Sequence, residues 1–244
     1  MPAPARGLFT TRRGGVSAAP WDSADLGLHV GDRVDDVCEN RRRLARAAGL
    51  PVSRLVFAEQ VHGAGVAVVD GEQDAPVAGV DALVTRRPGL GLVVLAADCL
   101  PVLLADPVAG VVAAVHAGRA GLAAGVLAAA LRAAADLGAQ PARMRAVVGP
   151  GVCGGCYEVP DALADDVERL VPGTRTLTRQ GTAGLDLPAG ARSALAAAGL
   201  PDVHEVGGCT YEQPELLYSY RRDGRTGRHA GLVWLDPATP DARG

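Results

Sequence analysis

The chain contains no lysine, and all 24 of its basic side chains are arginine. That excludes any mechanism built on a lysine Schiff base or a P-loop lysine. Aromatic residues are also scarce, at 3% of the chain, so the core has to be assembled from Val, Leu and Ala. No apolar run approaches the roughly 18 residues of a membrane span. The first residues, Met1-Pro2-Ala3-Pro4-Ala5-Arg6, carry no apolar segment of a secretory signal. A cytoplasmic protein without a membrane partner is therefore expected. The net charge of −3 gives no basic footprint for nucleic acid. In such a compartment the five cysteines are metal-binding, catalytic or inert rather than disulfide-bonded. The GxSxG, Walker A, HExxH and HxE…PCxxC patterns are absent, and Gly63-Ala64-Gly65 lacks the third glycine of a dinucleotide fingerprint.

What is present is a trio of good metal donors in short, turn-flanked contexts. These are His62 in Gln60-Val61-His62-Gly63, Cys99 in Ala97-Asp98-Cys99-Leu100-Pro101, and His116 in Val115-His116-Ala117-Gly118. Two imidazoles and a thiolate suit zinc, and three protein ligands leave a fourth tetrahedral position open, as in catalytic sites. The apolar runs Leu100 to Ala105 and Val111 to Val115 flank Asp106-Pro107-Val108-Ala109-Gly110, a hairpin connection. Pairing Ala105 with Gly110 sets Cys99 opposite His116; a loop two residues longer sets it opposite Gly118. Either register leaves the two ligands close enough to share a metal.

The length of 244 residues suits one large domain or two small ones. Phe9 to Ser17 reads as a short strand and a Gly-rich turn. Val34 to Ala48 reads as an amphipathic helix closed by Gly49 and Pro51. Strands are expected at Arg54 to Ala58, Val66 to Asp70, Met144 to Val148, Val203 to Val206 and Leu232 to Leu235. Leu90 to Ala97 is apolar enough for a buried central strand. Helices are expected at Leu122 to Leu137, capped by Gly138, at Asp161 to Leu170, and at Pro188 to Ala198, introduced by Asp186 and ended by Gly199. The mixture lacks a strict βαβ rhythm, so the expected fold is α/β with mixed sheets flanked by helices. The tail from Asp236 to Gly244 is expected to fray.

Other chemistry is less specific. Cys153-Gly154-Gly155-Cys156 is half of a zinc-ribbon pattern without a second CxxC, and reads mainly as a binding loop with incidental thiols, with redox or metal chemistry as the alternative. Cys38 reads as helical and inert. Arg12 beside Gly14-Gly15, and the cluster Arg221, Arg222, Arg225 and Arg228, are candidates for holding an anion. Arg41-Arg42-Arg43 reads as one solvated helix face.

The ordered segments Phe9-Thr10-Thr11-Arg12-Arg13-Gly14-Gly15-Val16-Ser17, Val30-Gly31-Asp32 with Glu39-Asn40-Arg41, Gln60-Val61-His62-Gly63, Asp81-Ala82-Leu83-Val84-Thr85, Ala97-Asp98-Cys99-Leu100-Pro101, Val115-His116-Ala117-Gly118, Gly149-Pro150, Tyr157-Glu158-Val159, Cys209-Thr210 and Ser219-Tyr220-Arg221-Arg222 with Thr226-Gly227-Arg228 resemble the YfiH-like family. That family was named for a multi-copper polyphenol oxidase or laccase activity and was later understood as purine nucleoside phosphorylases. The resemblance spans residues 8 to 235 and implies a single domain of layered YfiH-like fold over residues 1–244. It implies His62, Cys99 and His116 as metal ligands. It also implies phosphorolysis of adenosine, inosine, guanosine and S-methyl-5′-thioadenosine, with deamination of adenosine. Two departures stand out. The family's usual His-Ala-Gly-Trp-Arg-Gly is here His116-Ala117-Gly118-Arg119-Ala120-Gly121, and its Asn-Leu-Gly is Asp25-Leu26-Gly27.

On this reading zinc, with copper as the alternative ion, sits on His62, Cys99 and His116. Asp98 is a proton carrier or an orienter of the site. Arg12, Ser17, Arg119 and Arg228 bind substrate or phosphate, with Arg119 expected to point toward the metal trio. The partners are purine nucleosides and phosphate, and the oligomeric state is left open. Two rival enzymes use the same residues. A laccase-like copper oxidase would need far more imidazoles than five histidines supply, although copper outcompetes zinc for such donors. A metal-free hydrolase would use Cys99 as nucleophile and His116 as base. A non-enzymatic rival would hold a structural zinc.

Overall fold

A computed structural model of the chain describes residues 4–200 and 202–237; beyond Pro237, the tail expected to fray lies outside the described residues. Strand β1 (Ala5–Phe9) is followed by helix α1 (Val34–Ala48) and strands β2 (Leu55–Phe57), β3 (Val66–Val68) and β4 (Ala82–Thr85). Next come β5 (Gly91–Ala96), the hairpin β6 (Leu100–Asp106) and β7 (Val111–Ala117), then helices α2 (Arg119–Ala123) and α3 (Val126–Asp136). The second half adds β8 (Arg145–Val148), α4 (Asp161–Leu170), β9 (Arg175–Leu177), β10 (Ala183–Leu185) and α5 (Leu187–Ala197). The last elements are β11 (Asp202–Glu205), α6 (Tyr220–Asp223) and β12 (His229–Leu235).

Two mixed sheets carry the architecture. One has the order β1-β12-β5-β2 and the other β11-β8-β6-β7-β4-β3, while β9 and β10 form a small antiparallel pair. Strand residues alternate between faces, which divides the core into three apolar layers. Leu92 and Val94 of β5, Val233 of β12, Leu103 of β6, and Val112 and Ala114 of β7 meet between the two sheets. Their neighbours Val93, Leu95, Ala230, Leu232 and Trp234 face α1 through Leu44 and Ala45. On the far side, Val102, Leu104, Ala113 and Val115 pack against Leu127, Leu131 and Leu195 of the other helices. The result is a mixed α/β stack of four layers: helix, sheet, sheet, helices. Among the described residues no helix is long and apolar enough to cross a membrane.

Local chemistry explains the elements and their departures from expectation. Helix α1 begins with Asp35 and Asp36, ends with Arg46, and is closed by Gly49 in the left-handed region, as charge and backbone preferences dictate. The helix expected over Leu122 to Leu137 is two helices, because Gly125 turns left-handed at φ 81° between them. The first strand runs earlier than expected, at Ala5–Phe9, and leaves Thr10 to Gly15 as a turn. The hairpin adopts the longer-loop register, with Ala105 opposite Val112 and Pro101 opposite His116. Asp106 sets it by accepting the amides of Val108 and Ala109, so the turn starts one residue later than an Ala105–Gly110 pairing requires. Arg41-Arg42-Arg43 is not one solvated face. Successive helical residues point about 100° apart; Arg42 and Arg43 pair outward with Glu39, while Arg41 turns inward to the Leu26 carbonyl and the Phe57 ring.

Candidate metal centre and active-site cavity

The centre is built around a carboxylate that carries no chemistry of its own. Asp81 precedes β4 and is fully buried. Its oxygens accept the backbone amides of Val61, His62 and Gly63 at 3.3, 2.9 and 2.7 Å. One oxygen also lies 2.8 Å from Nδ1 of His116. A single side chain thus fixes the turn that presents His62, whose φ is 60°, and the ring of His116. With Nδ1 held by a carboxylate, Nε2 of His116 is left for a metal, the usual arrangement behind metal-binding histidines.

His116 sits near the end of β7 on the inter-sheet face and is 2% exposed. The rings of His62 and His116 meet edge to face, 4.8 Å between centroids. Donor atoms of His62, Cys99 and His116 all lie within 4.8 Å of one another. Two glycines permit this convergence. A Cβ on Gly118 would stand 2.8 Å from Sγ of Cys99 and 3.1 Å from the His62 ring, and one on Gly121 would stand 2.7 Å from the Gly63 carbonyl.

The electrostatics favour a cation. Burial pushes the Cys99 thiol up, but hydrogen bonds with His116 and His62, and their charge, bring it down to about 6. Burial likewise disfavours a charged His116, yet Asp81 and Cys99 raise it to about 9. Burial raises Asp81, and its bonds from His116, Gly63 and Val61 outweigh that and leave it below its ordinary value. A thiolate next to two imidazoles is the donor set zinc prefers, so these residues fit such an ion.

The trio lines a cavity of about 1240 Å³, larger than a typical single-ligand pocket. Four arginines line it as well: Arg41, Arg119, Arg221 and Arg228. Arg119 opens α2 immediately after the His116-Ala117-Gly118 segment and shares the cavity wall with all three donors. Arg228 is partly tethered by the Thr226 and Gly227 carbonyls, and burial lowers its pKa. Burial also lowers Arg41, to about 10. Arg221 stacks on Tyr157, 4.6 Å from the ring centroid. Phe57, Tyr157 and Tyr220 supply aromatic surface.

Other residues singled out from the sequence lie elsewhere. The Arg12 guanidinium is engaged by the carbonyls of Asp22 and Pro214 and stacks on Tyr218; it does not line the cavity. Ser17 is buried and its hydroxyl accepts from Asn40, also away from the cavity. Its partner Asn40 binds Ser23 and Asp25 carbonyls too, so this polar knot organises the loop. The arginine cluster disperses: Arg222 binds the carbonyls of Thr210 and Leu217, and Arg225 stacks on Trp21. Asp98 lines the cavity with φ 99°, but its carboxylate accepts the Thr210 hydroxyl at 2.5 Å and the Arg221 amide at 2.7 Å. Cys153 and Cys156 stand beside Cys209 and Glu212, a grouping of four donors. Burial and the neighbouring thiols push Cys156 up to about 12.

Two contributors escaped the sequence reading. Asp81 left a signal, a carboxylate at the head of the wholly apolar Ala82-Leu83-Val84, where a charge is retained only with buried partners. Arg41 left a weaker one, since only helix phase separates it from Arg42 and Arg43.

Comparison with known proteins agrees with this geometry. A protein of Streptomyces griseus named purine nucleoside phosphorylase is 54% identical over 230 residues, covering 93% of each chain. A Streptomyces coelicolor protein of the same name is 52% identical, covering 93% of this chain and 94% of its own. The crystal structure of YlmD from Geobacillus stearothermophilus superposes with a TM-score of 0.89 at 35% identity, covering 96% of this chain and 92% of that one. The family model described as multi-copper polyphenol oxidoreductase laccase matches residues 6–236. Matched from its first strand to its last, and folded as YlmD is, the chain belongs to this laccase-like, YfiH-type family.

Proposed function

We infer that the protein is a zinc-dependent purine nucleoside phosphorylase acting on adenosine, inosine, guanosine and S-methyl-5′-thioadenosine. One observation carries the reading: three metal donors share the wall of a large cavity with four arginines and a set of aromatic rings. The names of the relatives point the same way. Held by His62, Cys99 and His116, zinc would supply a Lewis acid with one open position.

The chain's own residues then divide the work. Arg119, with Arg228 and Arg221 of the same cavity lining, binds the phosphate anion, for which guanidinium forks are suited. Tyr220, 61% exposed and lining the cavity, offers a face for the purine, and Tyr157 and Phe57 exclude water beside it. Phosphate attacks ribose C1′ as the N-glycosidic bond breaks, so ribose 1-phosphate forms and the base departs with a proton. Asp98, fixed by Thr210 and Arg221, positions the turn that carries Cys99. Arg12 and Ser17 shape the loop Thr10 to Ala24 and leave the anion to Arg119 and Arg228. Deamination of adenosine, implied by the resemblance, would draw on the same metal.

The lowered Cys99 thiol beside His116 also suits a metal-free cysteine hydrolase. The third donor, His62, has no place in that mechanism and favours the metal. Metal analysis combined with base release from inosine, with and without phosphate, tests the reading. Cys99→Ala should lose the metal of the His62, Cys99 and His116 trio and activity together, and Arg119→Ala should raise the phosphate requirement far more than the nucleoside requirement. Equal cleavage of inosine without phosphate, or full activity of Cys99→Ser with the trio free of metal, would overturn it. Oxidation of a phenol by the copper-loaded protein in place of phosphorolysis would favour the oxidase.

A further inference from the structure

The grouping around Cys153 belongs neither to the cavity wall nor to the trio. Donor atoms of Cys153, Cys156, Cys209 and Glu212 all lie within 4.8 Å of one another. They come from two loops that the fold already holds together. The loop after β8 bridges the segment after β11 at Gly151 and Cys209, and the Thr210 amide donates to the Gly151 carbonyl. Within the first loop, the Cys156 amide donates to the Cys153 carbonyl, a tight turn that brings both thiols to one side. Within the second, the Glu212 amide donates to the Cys209 carbonyl, and this helical spacing aligns the two side chains.

Three details single out a cation as the occupant. The Cys153 amide donates to Sγ of Cys209 at 3.4 Å, and such bonds stabilise a coordinated thiolate. The thiols number three, so any disulfide leaves one unpaired, whereas one ion uses all three thiols and Glu212. Glu212 is also paired with Arg179, whose stem covers Gly155. That cation offsets part of the excess negative charge that three thiolates and a carboxylate leave on a divalent ion. Tetrahedral zinc with metal–sulfur bonds of about 2.3 Å holds its donors roughly 3.8 Å apart, a contraction of at most about an ångström from separations that are all within 4.8 Å.

We propose that Cys153, Cys156, Cys209 and Glu212 form a second zinc site, closed and structural, separate from the open centre at His62, Cys99 and His116. Zinc binding there replaces the three thiol protons and adds to the single bridge at Gly151 and Cys209 that joins the two loops. One carries Val152 and Tyr157 into the cavity wall; the other carries Thr210, which holds Asp98 beside Cys99.

Metal content measures this directly and does not depend on the phosphorylase reading. The full chain, expressed with added zinc and purified under reducing conditions, should carry about two zinc ions. Cys99→Ser and Cys156→Ser should each carry about one, and the double variant none. Should Cys156→Ser fail to fold, Glu212→Gln serves in its place: it keeps the thiols and should release one of its two ions at least tenfold faster to a chelator. Cobalt in Cys99→Ser should give the near-ultraviolet charge-transfer band of a tetrahedral thiolate site, and Cys156→Ser should weaken it. A wild-type chain that binds a single zinc, lost entirely in Cys99→Ser, would overturn the proposal. So would an intact mass lighter by two hydrogens with Cys153 joined to Cys156 or Cys209.

Discussion

At the scale of single residues, Asp81 illustrates how much a buried carboxylate can organise. Asp81→Asn keeps the shape but replaces one acceptor oxygen with a donor facing the amides of the His62 turn or the ring of His116. An unsatisfied buried donor costs about 1–3 kcal/mol, and loss of such an orienting partner typically weakens metal binding 10- to 100-fold. Both effects should appear together, in a chelator competition and a denaturant melt; undiminished metal affinity would disprove the assigned role. Asp25 gives a prediction of opposite character. Burial raises its carboxyl to about 6, against bonds from the Gly27 and Arg228 amides that lower it, and its second oxygen has no partner. The folded chain therefore holds a proton that the unfolded chain has lost, and stability falls as pH rises from about 4 to about 6. Asp25→Asn keeps the acceptor for both amides and removes the titration. Its stability relative to wild type should climb through that window, by at most roughly 3 kcal/mol. A difference curve flat from pH 4 to 7 would contradict this.

At the scale of elements, the connection from β7 through α2 joins the candidate metal centre to the helical layer, and two of its glycines separate function from stability. Gly118→Ala would set a methyl 2.8 Å from Sγ of Cys99. Displacing a reacting group by about an ångström can cost 100-fold in rate, so activity and metal should fall while the hairpin survives. Gly125→Ala meets nothing within 4 Å but must hold φ at 81°; it should cost about 1–2 kcal/mol and leave turnover unchanged. Equal effects on activity would show that the close approach at Gly118 is not what matters. The same region shows what was legible in the sequence. The convergence of His62, Cys99 and His116 could be anticipated because each is a metal donor in a short segment flanked by small or turn residues, and α1 and α5 because end signals, Gly49 for one and Asp186 with Gly199 for the other, agree with the helical pattern between them. The break at Gly125 was hidden by the surrounding alanines, which suit a helix on either side. Arg12 shows a related effect: an arginine beside two glycines has the look of an anion loop, and in the structure carbonyls of neighbouring segments engage its guanidinium.

At the scale of the molecule, the mixed sheets and flanking helices followed from alternation and length, whereas their stacking into four layers did not. Strands β2 and β3 flank the His62 turn in sequence yet enter different sheets, a partition that depends on distant partners and leaves no local mark. The cavity takes its walls from several of these layers: Arg41 from one outer helix, Phe57 and Leu95 from one sheet, His116 from the other, and Arg119 and Leu187 from the helices on the far side. A molecule seated there would act as a cross-brace, tying together layers that otherwise meet mainly through aliphatic contacts. Occupancy should then stiffen the whole stack rather than one rim. Ligand binding at about 100 times its dissociation constant adds about 2.7 kcal/mol to the native state. For inosine and phosphate together, the increase should appear as slower amide exchange on both sheets, and not only in the loops that touch the ligand.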